Sequence, residues 1–139
     1  MRIAKRRDAG TMALELALLT PVLVAFMMVM VGLGRVVEAQ SQVDGAARDA
    51  ARAASLARST AGANKAAADA AEQTLSGRKW CRRLPGTTVD FSQWRQGGQV
   101  SVAVHCDIDL TGLSFIGFSP SRTMTGTATA PIDTFRRIE

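Results

Sequence analysis

A single glutamate, Glu15, lies at the start of the membrane-length apolar run of this chain. The run continues from Leu16 to Gly34 without a charged residue. An ionised carboxylate at membrane depth is unfavourable unless it is paired, so this position predicts a functional role for the glutamate. Cleavage after Gly10 would place the new ammonium of Thr11 one helical turn from Glu15, within one chain or between neighbouring chains. We interpret Gly10 and Thr11 as a processing site and Glu15 as an assembly charge.

The element that positions Glu15 is a predicted transmembrane helix over residues 11–34. At about 1.5 Å per residue it is long enough to cross hydrocarbon about 30 Å thick. Pro21 removes one backbone hydrogen bond, so we expect a bend there. Residues 1–10 form a basic leader, and in the fifteen positions after the helix only Arg35 and Arg48 are basic. By the positive-inside rule, the N-terminus is cytoplasmic and the chain after Gly34 is extracytoplasmic.

A short basic leader, a glycine, four residues, a glutamate and an apolar helix resemble the class III prepilin signal of type IV pilins and pseudopilins. The segment from Asp8 to about Ser55 also contains Glu15-Leu16-Ala17-Leu18, Pro21, Gly34-Arg35 and an Ala-Arg run from Ala46 to Ala54. With these residues it is similar to the conserved segment of TadE-like proteins, the minor pseudopilins of tight-adherence (Tad, or Flp-type) pili.

The resemblance implies a structural protein of the inner membrane that takes part in assembling a Tad-type pilus or a related secretion apparatus. It implies a prepilin peptidase, other pilins or pseudopilins, and the Tad assembly platform as partners. Major Tad pilins are little more than the helix, so an added globular domain favours a minor pseudopilin. Such a protein is processed by an enzyme and is not itself one.

Two other topologies stay open. Val37-Glu38-Ala39 fits the small-residue pattern of ordinary signal peptidase, which would make the first 39 residues a secretory signal. The apolar run is longer than such signals usually are and begins with a charge, which argues against this. An uncut membrane anchor is the third possibility. The alternative function is a membrane-anchored or secreted cell-surface binding module; a secreted hydrolase is disfavoured.

The rest of the sequence predicts an α+β fold. A helical stalk covers residues 35–77 and a small β-rich domain covers residues 78–139. In the stalk, a helix from Arg35 to about Ser59 carries an apolar, mostly alanine stripe. That stripe either rests on its own domain or packs against other subunits, since small residues allow close helix contact. Its members are Val36, Val43, Ala47, Ala50, Ala54 and Ala57.

Cap and turn residues at 59–64 interrupt the helical pattern, and a second short helix is predicted from Lys65 to Leu75 with Gly77 as its C-terminal cap. After this helix, apolar residues recur at every second position. Strict alternation from Val100 to Leu110 predicts a half-buried strand. Gly97-Gly98 predicts a hairpin turn to an earlier strand at about residues 87–93, and residues 122–130 predict a third strand of an antiparallel sheet.

Cys81 and Cys106 are the only cysteines. The predicted topology places both on the oxidising side of the membrane, so we expect a disulfide. Metal binding is disfavoured because the chain has neither a CxxC pair nor a histidine cluster. The single His105 falls on the polar face of its strand, where a solvated side chain is expected.

The sequence has no serine-nucleophile elbow, P-loop or dinucleotide fingerprint, so we expect neither catalysis nor a cofactor. The net charge is +5, of which the leader contributes +3, and this gives little reason to expect a nucleic-acid partner. A basic run with one aromatic residue is the remaining candidate, either a polyanion site or a solvated junction. It comprises Arg78, Lys79, Trp80, Arg82 and Arg83. The apolar stretch 112–118 either closes the core or presents a patch to a partner.

Overall fold

The computed structural model of this chain describes residues 7–78, 80–81, 86–109, 121–135 and 137. These residues form two helices and three strands, so the predicted α+β class is confirmed. In chain order the elements are α1 (Arg7–Ser55), α2 (Thr60–Leu75), β1 (Gly86–Asp90), β2 (Gln99–Asp109) and β3 (Ser121–Pro131). The chain divides into two compact units, an N-terminal unit, Met1–Val37, and a C-terminal unit, Glu38–Glu139.

Helix α1 has 49 residues and contains Pro21 in its interior. It ends at Ser55, and not at about Ser59 as the sequence predicted. The N–H of Leu56 donates to the carbonyl of Ala53 at 3.3 Å, and the N–H of Ala57 donates to Ala54 at 3.1 Å. Each bond joins residues three positions apart, and not four as in an α-helix. Such bonds tighten the last turn, and the helix ends there.

Helix α2 begins at Thr60, five residues before the predicted start at Lys65. Ser59 is its N-cap: the backbone is extended, and Oγ accepts a hydrogen bond from the N–H of Gly62 at 3.2 Å. This bond satisfies an otherwise free N–H of the first turn. The polar residues from 59 onward, which were predicted to interrupt the helical pattern, therefore begin the second helix. The helix ends at Leu75, and Gly77 follows the C-cap Ser76 with φ +77. A glycine at that left-handed position terminates the helix, as predicted.

The sheet is antiparallel in the order β1-β2-β3. The alternation predicted for β2 is confirmed in the described residues, with five buried side chains on one face: Val100, Val102, Val104, Cys106 and Ile108. Leu110, the last residue of the predicted strand, lies outside the described residues. Strand β3 extends the predicted strand 122–130 by one residue at each end.

Strand β1 pairs with β2 as predicted, but it ends at Asp90 instead of Gln93. The Asp90 carboxylate accepts the N–H of Ser92 at 2.8 Å, a local bond that competes with continued strand pairing. Residues 91–98 connect β1 to β2, so the predicted hairpin between these strands is confirmed, and its loop is longer than Gly97-Gly98 alone. Gly97 takes φ +69, and the N–H of Gly98 donates to the carbonyl of Arg95 at 2.8 Å.

The core of the C-terminal unit lies between the helices and the apolar face of the sheet. Helix α2 packs against β1 and buries Ala63, Ala67, Ala71 and Leu75. Helix α1 meets β3 at Gly126, where an added Cβ would lie 2.7 Å from the carbonyl oxygen of Val43. The two backbones are in direct contact there, which is a common reason for a glycine in a strand interior.

Candidate functional site

The N-terminal half of α1 presents apolar side chains on every side. Every described side chain from Met12 to Val31 is exposed, including Leu14 at 62% and Met28 at 68%. The most apolar 18-residue stretch has a mean hydropathy of 2.5 and no buried residue, so α1 is long and apolar enough to cross a membrane. A helix that is apolar all round belongs in lipid or among other helices.

The residues of the predicted processing and assembly site all lie on this half of α1. Gly10 and Thr11 are already helical, and Glu15 follows on the exposed surface. Thr20, the residue before Pro21, donates a hydrogen bond from Oγ1 to the carbonyl of Leu16 at 2.7 Å. That bond satisfies the hydroxyl within the helix, as a polar side chain at membrane depth requires. Helix α1 continues through Pro21.

The alanine stripe of α1 is buried inside the C-terminal unit. Its covered residues include Val43, Ala47, Ala50 and Ala54 of the predicted set, whereas Val36 and Ala57 are only partly covered. Ala39, Ala46 and Ala51 are also buried, so the covered face is wider than predicted. Of the two predicted roles for the stripe, packing on its own domain is the one that these buried residues fill.

Two side-chain contacts position this half of α1. The amide nitrogen of Gln40, Nε2, donates to Asp44 Oδ1 at 3.1 Å and to the backbone carbonyl of Thr125 in β3 at 3.0 Å. Further along, Thr74 Oγ1 of α2 donates to Asp49 Oδ2 at 3.1 Å. Gln40 therefore ties α1 to the sheet, and Asp49 ties α1 to α2.

The predicted disulfide between Cys81 and Cys106 is present, with a Cα–Cα distance of 5.8 Å. Cys106 is 1% exposed in the middle strand. Cys81 also makes an isolated bridge to Ile108 of β2. The link between α2 and β1 is thereby attached to the centre of the sheet.

The basic run is described only in part. Arg78 is exposed and Trp80 is partly covered, whereas Lys79, Arg82 and Arg83 lie outside the described residues. The apolar stretch 112–118 also lies outside them. His105 is on the polar face as predicted, with Nδ1 at 2.9 Å from Oγ1 of Thr125 on β3.

Sequence reasoning missed that β3 is an edge strand among the residues that the structure describes. Strand β3 has β2 on one side, and its exposed threonines form a row: Thr123, Thr125, Thr127 and Thr129. Several of them pair with β2 side chains, as in the 2.6 Å bond from Thr123 Oγ1 to Asp107 Oδ1. The Thr-x-Thr spacing and the glycine at 126 are the available signals, but neither reveals that β3 would be an edge strand.

The fold and the exposed helix together define an α+β protein with an apolar, membrane-length N-terminal helix. Within that class, the family model described as TadE-like protein matches residues 10–52. The resemblance to TadE-like proteins is therefore confirmed over that segment, which contains Gly10, Glu15, Pro21 and most of the alanine face. Comparison with curated proteins and with solved structures gives no significant match.

Proposed function

We propose that this protein is a minor pseudopilin that takes part in assembling a Tad-type pilus or a related secretion apparatus. The observation that carries the proposal is the TadE-like match over residues 10–52, which falls on a helix whose N-terminal half exposes large apolar side chains all round. Such a helix fits both of the environments that a pseudopilin occupies, the bilayer and a bundle of neighbouring helices. Its role is structural, with a prepilin peptidase, other pilins or pseudopilins and the assembly platform as partners.

The proposed processing step is cleavage between Gly10 and Thr11, with the N-terminus in the cytoplasm. We expect Gly10→Leu to retain the leader because a bulky residue replaces the small one at the cut. Gly34→Leu is the matched control, since Gly34 lies in the same helix with no atom within 4 Å of an added Cβ. Intact mass of the protein from membranes measures the outcome. Equal full-length masses for wild type and Gly10→Leu would remove the main support for processing.

The proposed assembly step pairs Glu15 with the ammonium of Thr11. We expect Glu15→Gln to be inserted and processed but to lose crosslinks to pilus-system partners, because an uncompensated ammonium would remain in an apolar setting. Glu15→Leu should behave the same way. Glu38→Gln, on the same helix in the C-terminal unit, should crosslink normally. If both Glu15 variants assemble as wild type does while processing is intact, Glu15 is an interfacial side chain that reaches the headgroups.

A further inference from the structure

The outward-facing backbone groups of β3 can be identified from its pairing with β2. The N–H of Ile132 donates to the carbonyl of Gly98 at 2.9 Å, and the next pair in register is Gln99 with Pro131. Bonded and non-bonded pairs alternate along an antiparallel ladder. The even-numbered residues of β3 therefore bond to β2, and the odd-numbered residues direct their N–H and C=O groups to the open edge. Pro131, which has no N–H, falls at an odd position.

Two further observations support this assignment. The carbonyl of Thr125, an odd position, accepts its hydrogen bond from the Gln40 side chain, which lies outside the sheet. The side-chain bonds from Thr125 to His105 and from Thr123 to Asp107 join residues that are opposite each other in the register. Side chains approach most closely at non-bonded pairs, which is where the alternation places both.

Among the described residues, few features protect the open edge of β3 between residues 123 and 129. Arg122 and Pro131 stand at its two ends, and between them Gln40 covers one carbonyl. In the described part of the chain, no backbone hydrogen bond joins this stretch to any segment except β2. Native edge strands are usually blocked by charges, prolines, bulges or a covering segment, because free N–H and C=O groups invite another strand.

We propose that the open edge of β3 binds an extended strand of another polypeptide, and that the Gln40 amide competes for the same edge. Donors and acceptors repeat every two residues, about 6.8 Å apart, a spacing that an extended backbone matches. On the polar face, threonine and other β-branched residues of the incoming strand suit the threonine row. A second copy of this chain is a poor fit, because α1 contacts β3 directly at Gly126 and a second α1 would have to occupy the adjoining space.

The test measures binding of a synthetic peptide with the sequence of residues 122–130 to the full chain in detergent micelles. This peptide offers the same threonine alternation without a helix above it. Binding is followed by fluorescence anisotropy of the labelled peptide. A peptide that is N-methylated along its whole backbone is the control, since it cannot donate a backbone hydrogen bond. Neither measurement depends on processing or pilus assembly, so the result is independent of the proposed function.

Two protein variants act on the edge in opposite directions. Thr127→Pro removes an outward N–H while the neighbouring bonds to β2 stay available, and should weaken binding at least about tenfold. Thr127→Val keeps the N–H and should bind like wild type. Gln40→Ala frees the carbonyl of Thr125 and should tighten binding about threefold. An intact Cys81–Cys106 disulfide and an unchanged circular dichroism spectrum show that each variant is folded.

Several results would overturn the proposal. Wild type could fail to bind the peptide saturably, or could bind the N-methylated peptide equally well. If Thr127→Pro does not fold, the Gln40→Ala comparison decides, and unchanged affinity counts against the proposed competition. A wild-type dimer in detergent that Thr127→Pro dissociates would make a second copy of the chain the occupant and would reject a separate strand.

Discussion

Both halves of α1 carry apolar side chains, yet those side chains meet opposite surroundings. The N-terminal half carries leucine, methionine, valine and phenylalanine, and all of its described side chains up to Val31 are exposed. The apolar residues of the other half are mainly alanine, and its alanine face is buried in the C-terminal unit. Large side chains all round require an apolar solvent or other helices, whereas small ones allow a sheet to touch the helix backbone. Side-chain size, together with the presence of charged residues, separates the membrane-length part from the domain part.

The small residues have an energetic consequence for the C-terminal unit. Burying a valine or leucine side chain contributes about 1.5 to 3 kcal/mol, and an alanine contributes far less. A core that relies on six buried alanines in α1 and three in α2 therefore gains little stability from each of these side chains. Changes to the disulfide or to the close contact between α1 and β3 should therefore have large effects on the stability of the C-terminal unit. The exposed half of α1 should be unaffected by these changes.

Removing the disulfide is expected to have the largest effect. Replacing both Cys81 and Cys106 with alanine opens a crosslink with a sequence separation of 25. In the chain-entropy account this lowers the free energy of unfolding of the C-terminal unit by about 3.5 kcal/mol. Fluorescence of Trp80 and Trp94, both in that unit, should report unfolding at lower denaturant in detergent. Reductant should reproduce the effect on wild type, and an unchanged midpoint would contradict the prediction.

A charge in the exposed half of α1 tests its surroundings directly. Leu23→Arg places a cation near the middle of the apolar run, where insertion becomes less favourable by about 3 kcal/mol. We expect a smaller membrane-integrated fraction after carbonate extraction of cells. Leu56→Arg is the matched control, because Leu56 is an exposed leucine just beyond α1 in the C-terminal unit. Equal fractions for the two variants would mean that the apolar half does not reside in lipid.

The close contact between α1 and β3 is tested by adding one methyl group. Gly126→Ala forces a Cβ to within 2.7 Å of the Val43 carbonyl oxygen. Overpacking of this kind lowers the free energy of unfolding by about 1 to 3 kcal/mol. Gly86→Ala adds the same group in β1, where its nearest neighbour is the Cβ of His105 at 3.9 Å. Denaturant unfolding should separate the two variants, and equal stability would show that α1 can move away from the sheet without loss.

The sequence predicted elements whose signals are local. Alternating valines identified β2, and the position of two cysteines on one side of the predicted membrane identified the disulfide. Its errors fall where one side-chain bond decides the structure: Ser59 starts α2 early by capping Gly62, and Asp90 ends β1 early by accepting from Ser92. The sequence could not predict the open edge of β3, for a different reason. Alternation tells which face of a strand is buried, but it does not tell which strand lies at the edge of the sheet.

The smallest expected effect is a pH dependence at the end of β1. The backbone N–H of Ser92, and then its hydroxyl, hold the pKa of the Asp90 carboxyl below its ordinary value, because both donate to the ionised form. A lowered pKa in the folded state means that ionised Asp90 stabilises the fold above the ordinary aspartate pKa of about 3.9, and that this contribution is lost as the pH falls through the lowered value.

Asp90→Asn keeps an acceptor oxygen but cannot ionise, so its unfolding midpoint should change less than that of wild type across the acidic range. Ser92→Ala keeps the backbone donor and removes the hydroxyl, so it should retain most of the dependence. Denaturant midpoints in detergent at a series of acidic pH values measure both. The N-terminal unit has no part in this loop, and Glu15→Gln should therefore leave the acid dependence of tryptophan fluorescence unchanged. Identical acid profiles for wild type and Asp90→Asn would mean that the turn after β1 forms equally well around a protonated carboxyl.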